Sequence, residues 1–116
     1  MTTANFDHGR TQIEDTVVAK IAGMATREVS GVHSLGSAGR AQGPGLTQGV
    51  VVEVGERVAT VDVSIVAEYG VAIHELAEVI RHNVISAIEK MTGLSVTKVN
   101  ITVHDIYLGT VEETAE

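Results

Sequence analysis

His74, Glu78 and His82 are spaced at i, i+4 and i+8, and on a helix that spacing gathers two imidazoles and a carboxylate on one face. Nitrogen and oxygen donors of this kind are what a zinc ion takes. The run His74-Glu75-Leu76-Ala77-Glu78 is similar to the zinc-protease helix, except that Glu78 stands where the second histidine ligand belongs. At about 100° per residue the row lies roughly 100–180° from the apolar stripe of the same helix, so it faces solvent. A working metal site needs enclosure and a second layer of hydrogen-bond partners. The row therefore reads as a solvated helix face, and neither a metal nor a cofactor is assigned to it.

Other chemistry fares similarly. Asp62, Ser64, His104 and Asp105 could be assembled into a hydrolase, but no strand-turn-helix nucleophile motif surrounds Ser64, and exposed strand positions desolvate little. No catalytic residue is assigned. Gly36-Ser37-Ala38-Gly39-Arg40 has the GxxG pattern of a KH loop, yet a strand and a hairpin flank it where two helices are needed, and no Gly-Lys-Ser/Thr follows to make a phosphate loop. It reads as a linker. Phe6, Tyr69 and Tyr107 are the aromatic residues, and none is expected on the polar strand face where bases would stack.

Composition sets the wider frame. The chain has 116 residues with 8 basic and 15 acidic side chains, a net charge of −7, which repels a phosphate backbone. There is no cysteine, hence no disulfide framework and no thiolate site. No apolar run approaches the roughly 18 residues of a membrane span, and Met1–His8 lacks a signal peptide's order of basic then apolar residues. The expected location is the cytoplasm, with membrane contact peripheral and through a partner.

The elements follow from periodicity. Residues 1–12 are polar and read as a flexible arm. A first helix is expected over about 14–30, with Val17, Val18, Ile21, Met24, Ala25 and Val29 as its apolar face. Ala19, Ala22, Gly23 and Thr26 form a lane of small side chains beside it. Gly23 costs about 1 kcal/mol against alanine in mid-helix, so another backbone is expected to come close there. Val32–Leu35 is a short strand, 36–49 a glycine-rich loop, and the alternation on either side of Gly55-Glu56-Arg57 a hairpin. In its second strand Val61, Val63, Ile65 and Ala67 share one face; in the last strand Val99, Ile101 and Val103 do. Between these two strands a helix over about 74–91 carries Ile73, Leu76, Ala77, Ile80, Val84, Ala87, Ile88 and Met91 as its stripe.

Gly31 and Gly93 each follow a helix and suit the left-handed conformation that ends one. The predicted fold is α+β: a two-layer sandwich in the order α-(β)-β-β-α-β, with two helices packed on one face of a small mixed sheet. One domain spans 13–108, and 109–116 is an acidic tail. Val79 and Ile85 widen the stripe of the second helix, while Val51 and Val66 break the polar face of their strands. These four are candidates for a partner surface.

Ile13, the run Val17-Val18-Ala19-Lys20-Ile21-Ala22-Gly23-x-Ala25 and Arg27-Glu28-Val29-x-Gly31-Val32 together resemble the opening of the alkaline shock protein family. The resemblance continues through Val61-Asp62-Val63, Glu68-Tyr69-Gly70-Val71-x-Ile73, Met91-Thr92-Gly93-Leu94 and Val99-Asn100-Ile101-x-Val103, spanning about 13–106. It implies a bacterial, non-enzymatic role in the envelope stress response, as a scaffold or adaptor that associates with itself and with related family members. It also implies that some members are held at the inner face of the membrane by an anchor protein, and it carries over no cofactor and no catalytic residue. His74 departs from the proline often found at that helical position in the family, and the loop at 36–49 looks variable. The alternative is a cytosolic RNA-associated regulatory module, which the missing basic and aromatic groups count against; an enzyme ranks third for want of a site.

Overall fold

The computed structural model describes residues 2–6, 9–36 and 49–109. The acidic tail beyond Gly109 and the glycine-rich loop between Gly36 and Gly49, with most of the GxxG motif, lie outside the described residues. Two strands open the chain, β1 (Thr2–Phe6) and β2 (Gly9–Ile13), paired antiparallel from Thr2 opposite Ile13 to Phe6 opposite Gly9. The reading of 1–12 as a flexible arm does not foresee this pairing. The ladder satisfies backbone groups with each other, and a hairpin apart from the main sheet needs no apolar alternation to announce it.

Helix α1 (Asp15–Arg27) starts where Glu14, extended at φ −77° and ψ 154°, accepts the Val17 N–H at 3.0 Å. Asp15 in its first turn and Arg27 in its last complement the helix dipole. The helix ends three residues before the expected boundary. Val29 N–H turns to Thr26 O, and Gly31 at φ +105° redirects the chain into β3 (Val32–Leu35).

Strand β4 (Val50–Val54), strand β5 (Val58–Glu68), helix α2 (Ile73–Thr92) and strand β6 (Ser95–Tyr107) complete the domain. β3 and β4 both run antiparallel to β5 on the same edge of it, end to end: Leu35 lies opposite Ile65 and Val50 opposite Val63. At Ser64, between them, Gly36 donates its N–H to Ser64 O (2.7 Å) and Gly49 O accepts Ser64 N–H (2.8 Å). Two glycines thus share the pairing that one strand residue would make. β6 runs parallel along the other edge, reached through α2. The sheet is therefore mixed.

Both helices cover one face of it. Ala59, Val61, Val63, Ile65 and Ala67 of β5 pack against Val18, Ala22 and Ala25 of α1 and Leu76, Ile80, Val84 and Ile88 of α2. The α+β two-layer order holds as the alternation requires. β6 departs from strict alternation at two bulges, where Thr97 and His104 are left without register partners. The second bulge shifts the parity, so Ile106 returns to the core side and Tyr107 moves to the outer face.

Candidate interaction surface

The buried face of α1 is rotated from the expected one, keeping Val18, Ala25 and Val29 inside with Ile21 partly buried against the core. Val18, Ala19, Ala22, Gly23, Ala25 and Thr26 are turned inward, while Val17 and Met24 are 45% and 44% exposed. The small side chains let the helix lie close to its neighbours, and the larger ones are left outside. Buried Thr26 donates its Oγ1 hydrogen to Ala22 O at 2.8 Å, so its hydroxyl is satisfied within the helix.

The two helices run antiparallel and are tied near the end of α1. Asn83 Nδ2 donates to Ala25 O at 2.7 Å, a carbonyl that Val29 N–H passes over in favour of Thr26 O. An α2 side chain thereby caps a carbonyl in the last turn of α1, where helices leave such groups without partners.

Two apolar clefts open on this helical layer. One, of about 250 Å³, is lined by Lys20, Ile21, Met24, Ala25, Glu28, Ala87 and Met91. Met91 was expected in the α2 stripe; at the last turn it projects past the core and is 71% exposed. The second, of about 630 Å³, sits where α1 ends and α2 begins, between Val29, Val71, Leu76 and Val79, with Glu28 and Glu75 among its exposed residues.

The proposed partner residues do not converge. Val79 stands at the second cleft, 54% exposed, and Ile85 is half-buried against the core. Val51 is exposed on the outer sheet face, opposite Asp62. Val66 is on that same face yet only 6% exposed, so it offers no surface. In register it lies between Ser34 and Asp105, and one same-face position along, Tyr107 stacks on His33 with ring centroids 3.7 Å apart and planes at 8°. Tyr107 was not expected on this face. The His104 bulge puts it there, and a matching irregularity in β3 leaves His33 out of register.

The remaining candidates stay dispersed. His74, Glu78 and His82 are all exposed along α2, with Glu78 paired to Arg81. Among the described residues, no three histidine, aspartate or glutamate side chains gather as metal ligands would. Asp62 accepts a hydrogen bond from Asn100 Nδ2 at 2.8 Å, and Asp105 Oδ1 accepts the Ile106 N–H. Neither carboxylate is directed at Ser64 or His104 by these bonds. Of the glycines, Gly23 is buried in α1, and Gly31 and Gly93 take positive φ at +105° and +79°. In the β4–β5 turn the left-handed residue is Arg57, at φ 68°, and not Gly55, whose N–H instead closes the turn onto Val58 O at 2.9 Å.

A family model for proteins of cell envelope-related function matches residues 3–108. The chain belongs to the alkaline shock protein family. One of the relatives carries a stress name. A stress response regulator, gls24 homolog, from Streptococcus pyogenes is 32% identical over 105 residues, 84% of this chain. The chain spans 59% of the length of that streptococcal relative. The uncharacterized protein YqhY of Bacillus subtilis is 31% identical over 108 residues, 88% of this chain and 80% of its own. A MamM CTD structure in a zinc form superposes with a TM-score of 0.48 at 14% identity, over 86% of this chain and 91% of its own, too loosely to bear on function. The family is thus one of cell envelope-related function, and the streptococcal relative is named for a stress response. No helix among the described residues is long and apolar enough to cross a membrane.

Proposed function

We propose that this protein is a non-enzymatic scaffold or adaptor of the envelope stress response, which self-associates through its helical layer and reaches the membrane through an anchoring partner. The observation that carries this reading is the open apolar strip on α1 and α2, where Val17, Met24 and Met91 are each more than two-fifths exposed. Large apolar side chains clustered on one face mark interaction surfaces more often than isolated ones do. The net charge of −7 opposes direct adhesion to anionic lipid, which favours a protein anchor.

Fractionation of native cells tests it, with lysate aliquots treated with RNase or salt. Recovery with membranes, insensitive to RNase and lost when the anchor is deleted, is the expected outcome. A soluble high-mass pool that collapses under RNase would replace this reading with the RNA-associated one.

A further inference from the structure

The larger cleft has a chemical bias that the helical strip lacks. Its walls are aliphatic: Val29 and Leu76 are buried, Val71 is half-buried, and Val79 is exposed at the mouth. Among the described residues, no lysine, arginine or histidine lines it. Its polar side chains are Glu28, Glu75, Ser30 and Asn83, and one of the two Asn83 amide hydrogens is already given to Ala25 O. Among the side-chain groups left to a ligand, the two carboxylates and the Asn83 carbonyl accept, the Ser30 hydroxyl both donates and accepts, and the second Asn83 amide hydrogen donates, so the carboxylates carry the charge of the described lining. Arg81 of α2 is held toward β6, its guanidinium bonded to Val99 O and to Glu78. Gly31 packs closely behind two of the lining side chains: a Cβ there would stand 3.1 Å from Leu76 Cδ1 and 3.2 Å from Val71 Cγ1.

We propose that this cleft docks a short basic segment of a partner protein, seating one aliphatic side chain between Val71, Leu76 and Val79 while flanking Lys or Arg groups meet Glu28 and Glu75. The volume suits a few residues of extended peptide. Charge complementarity selects the occupant. An acidic segment would meet two carboxylates with no lysine or arginine among the described lining residues to offset them. The proposal names the chemistry of an adaptor's partner; Glu28 borders both clefts, whereas Val71, Leu76 and Val79 line this one and Met24 and Met91 the other.

The test is a titration of the isotopically labelled full chain with Ac-Lys-Leu-Lys-Leu-Lys-NH2, followed by amide chemical shifts. Shifts confined to Ser30, Val71, Ala72, Glu75 and Val79 are expected. The double variant Glu28→Lys/Glu75→Lys should weaken binding about tenfold or more, as expected for two lost charge-assisted contacts. Val79→Ser should weaken it without altering net charge. The control Glu53→Lys/Glu56→Lys, which changes charge equally on the distant hairpin, should leave cleft binding within about twofold, the residual long-range effect of salt-screened charge. Shifts scattered over the acidic surface, equal loss in both double variants, or equal binding of Ac-Glu-Leu-Glu-Leu-Glu-NH2 would each overturn the proposal. Because binding to the folded chain is read and not assembly, failure here leaves the self-association reading standing, and the converse holds.

Discussion

Gly31 and Gly93 both follow a helix in the left-handed region, at φ +105° and +79°, but their surroundings differ. Gly93 donates to Glu89 O at 3.0 Å as the α2 cap, and a Cβ there would have nothing within 4 Å. Gly93→Ala should therefore cost only the conformational penalty, about 1 kcal/mol. Gly31→Ala adds contacts tighter than ordinary packing with Leu76 and Val71, so its loss should exceed that of Gly93→Ala by about 1 kcal/mol or more, as overpacking does. Urea unfolding midpoints of the two variants decide it, and equal losses would mean that the Leu76 and Val71 contacts yield freely. The need for glycine was legible at both positions because a helical period stops just before each. The neighbours of Gly31 were not legible, since Val71 and Leu76 are brought to it only by the packing of α2 on α1. Arg57 shows the converse: the turn was legible from Gly55, but which of its residues turns left-handed depends on the hairpin's pairing.

At the scale of elements, strands β4 to β6 and both helices follow from alternation and helical period, and the order they impose is the one observed. The inward face of α1 does not. Val17, Ile21 and Met24 make as good an apolar row as Val18, Ala22 and Ala25, and the choice falls to whichever row lets the helix approach sheet and α2 closely. Period alone gives no weight to side-chain size. The division of one strand into β3 and β4 is also invisible to local patterns, because the residues that reunite it are far apart in the chain. Gly36 and Gly49 together satisfy Ser64, and a Cβ on Gly49 would press on the backbone of Gly36 and stand 2.9 Å from Ser64 O. Removing residues 37–49 and joining Gly36 to Val50 should give one unbroken strand from Val32 to Val54. With the intervening segment gone, its loop-closure entropy, about 2 kcal/mol for a dozen residues, no longer opposes folding. The shortened chain should melt at the same temperature or higher. A large drop would show that the excised segment supports the core.

For the whole molecule, the question is which of its open surfaces can join copies without aggregation. The outer sheet face carries Asp62 bonded to Asn100, with the His33–Tyr107 stack over its far end, and its apolar Val66 is already covered. The free edge of β6 is interrupted by the bulges at Thr97 and His104, a common protection against edge-to-edge pairing. The helical layer offers an apolar surface of a different kind, where Met24 and Met91 line one groove, and methionine adapts to irregular contacts. If the proposed assembly forms there, Met24→Lys with Met91→Lys should abolish it and leave the melting temperature nearly unchanged, since both side chains are exposed. Lysine at position 91 also suits the C-terminal turn of α2. The matching variant on the other face, Val51→Lys, alters a side chain that is 58% exposed and should leave assembly intact. Sedimentation velocity over a hundredfold range of concentration reads all three proteins. Loss of assembly in Val51→Lys alone would transfer the interface to the sheet, and an unassembled wild type at every concentration would end the self-association reading while leaving the acidic cleft untouched.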